Sequence, residues 1–319
     1  MKKHIIAAAV AAAVAAPAAF AGAPTVYGQI NMSVDAGKLN GADQGTLVSS
    51  NASRVGIKGA EDLGNGLKAI YKMEFGVPVD STSKPQLSGR NAYVGLAGGF
   101  GAVLLGRHDT PLKMAQPTDL FNDGYADLNP MAGGLGVAGK AGEVRAGNVL
   151  AYVSPSFSGI KLVAALVPYE DGKKSSLTDV YSVAVMYGSK KKGLFLSGAY
   201  NNWTNRSGSD STEYRLSAQY TMGALMGNIM YQNFDKTGKD GNNFQVNLGY
   251  TIGAATLKGK YSHVDYDKTV AAKDGDGFGL GVDYALGKKT TAYIEYANMD
   301  KKTLKGETSI VSLGLLHKF

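Results

Sequence analysis

The chain has no cysteine and a single tryptophan, and after its first twenty residues it has no long apolar run. The missing cysteines rule out a disulfide framework, a thiol nucleophile and thiolate metal ligands. The missing apolar runs rule out a membrane-spanning helix, which needs roughly 18 or more consecutive apolar residues. Charge is scarce as well, with only 18% of residues Asp, Glu, Lys or Arg. The formal balance of +7 falls to +5 once Lys2 and Lys3 are set aside. So thin and dispersed a surplus does not make a nucleic-acid face, which needs clustered Lys and Arg. His4, His108, His263 and His317 are scattered, with no spacing suited to a metal, and neither a metal nor a cofactor is expected. There is no G-x-S-x-G and no Ser/His/acid set that can be ordered, so no enzyme is expected. The stretch Gly134-Leu135-Gly136-Val137-Ala138-Gly139-Lys140-Ala141 imitates a phosphate-binding loop. It carries Ala where Ser or Thr must hold the metal, and it follows no βαβ strand.

What the chain does contain begins with a leader. Lys2 and Lys3 precede an Ala/Val/Ile stretch from Ile5 to about Ala16, then Pro17 and Ala19-Phe20-Ala21. A basic start, a short apolar core and a small-residue ending read as a secretory signal peptide over 1–21. The mature chain, 22–319, is then exported, and it shows no linker or composition shift that would divide it into domains. Its 43 Gly and 18 Tyr favour strands and turns.

Alternation of period two runs through the mature chain. In 213–220, Tyr214, Leu216, Ala218 and Tyr220 oppose Glu213, Arg215, Ser217 and Gln219. In 244–251, Phe244, Val246, Leu248 and Tyr250 oppose Gln245, Asn247, Gly249 and Thr251. The segments 255–262 and 278–285 follow the same rule. About sixteen such strands are expected, with a bulge near Arg90, where the alternation breaks. Short turns such as Asp62–Asn65, Pro155–Ser158 and Ser189–Lys192 alternate with long connections at 35–51, 109–145 and 265–276. Short turns at one end and long loops at the other are the pattern of an outer-membrane barrel, with both termini on the periplasmic side. The polar face is mostly small (Ser, Gly, Ala, Asn), which suits a watery lumen better than a sandwich core. Tyr-x-x-Gly recurs at Tyr220–Gly223, Tyr250–Gly253 and Tyr284–Gly287, each time closing a strand at a short turn. Such tyrosines suit a membrane interface, ring in lipid and hydroxyl in water. The last strand ends on Phe319, in phase with His317, Leu315, Leu313 and Val311.

Several stretches resemble the general, trimeric porins of Gram-negative bacteria, of the β-proteobacterial and Neisserial type. They are Val26-Tyr27-Gly28-Gln29-Ile30, Ser53–Gly59 with Glu61–Ala69, Phe100-Gly101 with Leu105-Gly106-Arg107, Arg145–Asn148 and the terminal Phe319. The resemblance spans the mature chain. It implies an all-β, 16-stranded antiparallel transmembrane β-barrel with an inward-folded constriction loop, here 109–145. It implies a homotrimer in the Gram-negative outer membrane, among outer-membrane lipid and lipopolysaccharide, assembled by a barrel-assembly machinery that reads Phe319. The expected function is passive diffusion of ions and small hydrophilic solutes.

By matching positions, the pore constriction would combine Arg54, Arg90 and Arg145 with Lys72 and Glu74 on the wall. The loop would supply Asp109, Asp119, Asp123 and Asp127, together with Glu143 and the close-packing Gly133, Gly134, Gly136, Gly139 and Gly142. Asn91 stands where some relatives have a second Arg. A mild anion preference is expected, set by the three arginines and supported by Lys58, Lys68, Lys72, Lys258 and Lys260. The alternatives are a substrate-specific channel and, further off, a barrel enzyme or a blocked structural barrel.

Overall fold

The computed structural model describes residues 23–81, 86–121, 123–128, 144–168, 177–203, 210–236, 240–267, 274–300 and 306–319. The expected signal peptide, the loop glycines 133, 134, 136, 139 and 142, and Glu143 lie outside them.

The chain opens with β1 (Thr25–Leu39), β2 (Ala42–Ser50) and β3 (Arg54–Gly64), followed by β4 (Leu67–Gly76), β5 (Ser88–Gly98) and β6 (Gly101–Asp109). One short helix, α1 (Pro111–Met114), starts the longest connection. Then come β7 (Arg145–Val153), β8 (Ile160–Leu166), β9 (Val180–Gly188), β10 (Gly193–Trp203) and β11 (Ser211–Met222). The last six are β12 (Leu225–Lys236), β13 (Gly241–Ile252), β14 (Ala255–Tyr266), β15 (Gly275–Ala285), β16 (Thr290–Met299) and β17 (Thr308–Lys318). Each pairs antiparallel with its sequence neighbour, except that β2 and β3 both pair with β1, and β1 pairs with β17, so the sheet closes on itself.

The barrel has sixteen staves, because β2 and β3 are two parts of one. The upper part of β1 pairs with β2, as in Met32↔Ser50, and its lower part with β3, as in Gln29↔Arg54. Between them, Asn51–Ser53 bulges, with Ala52 at φ 50°. Ser53 Oγ accepts from the Asn31 amide at 3.0 Å and keeps the bulge against β1. The stretch 35–51, expected as a loop, is thus mainly an extension of the barrel wall. Both of its faces meet water, so its residues carry no apolar alternation, and periodicity does not reveal it. The bulge expected near Arg90 is present: the β4–β5 register shifts between Met73↔Ala92 and Phe75↔Gly89.

Burial is inverted relative to a water-soluble protein. Leu216, Leu248, Leu280 and Leu313 are 55–62% exposed, whereas Arg215, Gln232 and Gln245 are 0–1% exposed. An apolar surface with a polar interior is stable only where hydrocarbon surrounds the barrel and water fills it. Tyr220, Tyr250 and Tyr284 lie half-exposed on the outer face just before the short turns. The two-residue turns Gly223-Ala224 and Gly253-Ala254 need a left-handed residue first, and glycine supplies it at φ 58° and 59°.

Closure depends on the two chain ends. Gly28 N–H donates to the Phe319 carbonyl (3.2 Å), and Phe319 N–H donates to the Gly28 carbonyl (3.1 Å). The Phe319 ring then covers Gly28, where a β-carbon would sit 2.4 Å from Cζ. Gly28→Val should therefore open this seam. The expected result is a lower yield of heat-modifiable barrel, read by unboiled gel mobility, and wild-type mobility and yield in the variant would contradict this account.

Candidate functional site: a charged gap beneath an inward loop

The connection after β6 folds into the barrel, and lumen-facing side chains tie it to the β9–β15 wall. The Thr110 side chain caps α1 by accepting from the Lys113 amide. Leu112 and Ala115 pack against Ala184 and Ala199. Fully buried Arg215 donates to the Leu112 carbonyl and to Gln116 Oε1, both at 3.3 Å, and through Nε to Gln232 Oε1 at 2.9 Å. Gln219 accepts from the Thr118 amide, and Asn228 donates to the Thr118 carbonyl, each at 2.8 Å. Lys258 donates to the Leu120 carbonyl at 3.0 Å, and Gln245 to the Leu128 carbonyl at 2.9 Å. A loop buried in this way needs partners for its carbonyls, and the lumen side chains provide them.

Glycines leave room for the loop. A β-carbon on Gly249 would lie 3.0 Å from Leu120 Cδ1, and one on Gly279 would lie 3.1 Å from Ala126 Cβ. Lys260 reaches Asp119 at 3.1 Å and Asp127 at 3.4 Å. Burial opposes ionisation of Asp119, but the Lys260 ammonium together with hydrogen bonds from Asp127 and the Phe121 amide outweighs it and holds this carboxyl below the usual carboxylate range.

With the loop held to one side, the gap is left along β1 and β3–β7. There a cavity of about 690 Å³ brings together Arg54, Arg90, Arg145, Lys72, Glu74, Asp109, Asp123 and Asp127. Arg90 Nε lies 2.7 Å from Glu74 Oε1, and Lys72 lies 3.2 Å from Glu74 Oε2. Tyr27 donates its hydroxyl proton to Glu74 Oε2 at 2.8 Å. Arg145 Nε meets Asp109 at 3.1 Å and Asn91 Oδ1 at 2.9 Å, and Asn91 in turn donates to Asp109 at 2.8 Å. Asn91 thus acts as a spacer between cation and carboxylate. Across the gap, Arg54 Nη1 faces Asp123 of the loop at 3.5 Å. Burial pushes the Asp123 carboxyl up, and the charges of Arg54 and Arg90 offset this only in part.

Eight of the nine expected constriction residues therefore meet at one cavity. Asp119 does not line it: with Lys260, it pins the loop to the far wall. Lys258 is also taken up, by Glu295 at 2.6 Å and Asp283 at 2.7 Å. The sequence reading overlooked Tyr27, Lys113 and above all Arg215. A charged residue in lumen phase between Glu213 and Ser217 was the available signal for Arg215. The lumen is also less uniformly polar than expected: Leu104, Val149, Val153 and Val163 face inward as a buried cluster that Met114 of the loop packs against.

A closed, apolar-jacketed barrel with a charged gap under an inward loop is a transmembrane diffusion channel. The comparisons agree. A family model described as Gram-negative porin matches residues 7–304. The major outer membrane protein P.IB of Neisseria meningitidis serogroup B is 30% identical over the full length of both chains. Among solved structures, the anion-selective porin from Comamonas acidovorans aligns with a TM-score of 0.74 at 22% identity, covering 93% of this chain and 99% of that one. The trimer form of OmpT, an outer membrane protein of Vibrio cholerae, aligns at 0.69 and 19% identity, covering 94% and 100%. The chain belongs to the Gram-negative porin family and is an outer-membrane channel for passive diffusion, not an enzyme.

Two substitutions should move the loop in opposite senses. Gly249→Val pushes Leu120 and the loop into the gap, so single-channel conductance should fall. Arg215→Ala strips the loop of a buried charged anchor and leaves the Leu112 carbonyl and the Gln116 and Gln232 amide oxygens without this donor, at roughly 1–3 kcal/mol for each buried group left unsatisfied. Larger and noisier openings should follow. Unaltered conductance traces from both variants would show that these contacts do not position the loop.

Proposed function

We propose that the cavity beneath the loop is the constriction of the pore, and that it gives the channel a mild preference for anions. The lining charges carry this reading. Arg54, Lys72, Arg90, Lys113, Arg145 and Lys318 face the carboxylates of Glu74, Asp109, Asp123 and Asp127 and the terminal carboxylate of Phe319, an excess of one positive charge. Arginines on the wall and carboxylates on the loop set a transverse field across a narrow, low-dielectric gap. At about 4 Å and an effective dielectric near 20, one such pair is worth about 4 kcal/mol, so paired charges act on ions mainly as dipoles and the excess sets the sign. Solutes pass by size, and the field only biases which ions accompany them.

The expected reversal potential under a KCl gradient is anion-directed. Arg54→Ala, Arg90→Ala and Arg145→Ala should each shift it toward cations. Acidification should act the other way: Asp123, whose carboxyl is raised, loses its negative charge early as pH falls, and the anion preference grows. A cation-directed potential in the unmodified channel would refute the sign, and three variants indistinguishable from it would refute the site.

The working unit on this reading is a homotrimer, exported through cleavage after Ala21, with Phe319 as the residue that the assembly machinery reads. The trimeric OmpT structure and the exposed apolar outer faces support the oligomer; the outward-facing terminal aromatic at the barrel seam supports the signal. The purified protein should run as a trimer that dissociates on boiling, and deletion of Phe319 should cut the trimer yield while export continues. Monomers in mild detergent by light scattering, or full trimer yield from the truncated chain, would count against these two readings respectively.

A further inference from the structure

Each arginine at the constriction is already matched: Arg54 with Asp123, Arg90 with Glu74 and Arg145 with Asp109, at 3.5, 2.7 and 3.1 Å. Closer to the short-turn end, the lumen phase of the wall carries lysines of a different kind. Lys58 lies four residues beyond Arg54 on β3, roughly 13 Å deeper at about 3.3 Å per residue. Its ammonium sits 5.2 Å from the centre of the Tyr27 ring and makes no ion pair among the described residues. Lys161 is the second residue of β8, just past a short turn, and is 8% exposed. It lies in phase with Val163 and across from Met186 on the inward face, and it too has no acidic partner among the described residues. Lys318 ends β17 beside Gln29 and lines the constriction cavity from below. Lys68, in the same region, faces Asp62 across β3 and β4 and is partly offset by it.

The short-turn mouth thus carries Lys58 and Lys161 with no acidic partner among the described residues, and Lys318 beside the terminal carboxylate of Phe319, while the constriction above it keeps an excess of one positive charge. An apolar wall beside Lys161 strengthens the field by excluding water from one side of the charge. These side chains point into the lumen, so what they meet is a solute in the vestibule and not a surface partner of the barrel. We propose that Lys58, Lys161 and Lys318 form a second charge-selective region at the periplasmic mouth, which attracts small inorganic and organic anions and supplies much of the channel's anion preference. This rests on the reading of the pore as anion-preferring and adds a location to it.

Because the region lies at one mouth, its effect is sided. In planar bilayers with oriented insertion, the chloride-to-potassium permeability ratio should be higher when the dilute solution bathes the short-turn mouth. There the screening length reaches about 30 Å at 0.01 M, against about 3 Å at 1 M. The combined Lys58→Gln, Lys161→Gln and Lys318→Gln variant should bring the ratio at least halfway to unity and abolish the sidedness. Arg107→Gln removes the same unit of charge from the exposed outer face and should leave the ratio unmoved. If the triple variant yields no barrel, the three single variants carry the test, each lowering the ratio with the dilute solution at the short-turn mouth. A preference that survives these substitutions, or one without sidedness, would overturn the vestibule alone. An unmodified channel without anion preference would overturn the selectivity reading as a whole.

Discussion

Inside a bilayer a backbone N–H or C=O finds no water, and an unpaired group there costs several kcal/mol. That constraint shapes the whole molecule. It forces the sheet to close, and closure forces alternation, since every residue must face either hydrocarbon or the lumen. The apolar positions lie outside and Gln, Asn, Ser and Arg inside, so ordinary burial rules are reversed. The break between β2 and β3 is tolerated because Ser53 Oγ satisfies the Asn31 amide and the Asn51 amide donates to the Asn31 carbonyl.

The same accounting explains the loop. A polypeptide folded into the lumen carries its own unsatisfied carbonyls, and the wall meets them with long polar side chains. Arg215, Lys258, Asn228 and Gln245 donate to successive loop carbonyls, while Gly249 and Gly279 give the chain space. The loop stays against one side, and the opposite side keeps its charges for the pore. The lumen is therefore divided: β9–β15 hold the loop, and β1 with β3–β7 line the charged cavity.

Much of the wall was legible in the sequence. Tyr214, Leu216, Ala218 and Tyr220 announce a lipid face by period alone, and the break in phase at Arg90 announces the bulge. Eight of the nine residues that the resemblance suggested line one cavity, because a resemblance carries the positions of charged groups. What was not legible depends on contacts between distant segments. Lys258 and Lys260 look like free lumen cations until Glu295, Asp119 and Asp127 are brought to them. The inward Leu104, Val149 and Val153 look like a lapse in alternation until Met114 is seen to pack on them. The extension at 35–50 has water on both sides, so no hydrophobic pattern could mark it.

The pairing of Gly28 with Phe319 has a consequence for how the chain reaches this state. Nearly every other ladder joins neighbours along the chain and can zip locally as hairpins, whereas this one joins the first stave to the last residue. Its loop-closure entropy spans almost the whole barrel. The seam is accordingly the pairing of largest sequence separation in the barrel, and without it the sheet has two bare edges, each a template for pairing with another chain. A chain without β17 keeps those edges, so the circle is complete only when the last strand meets the first.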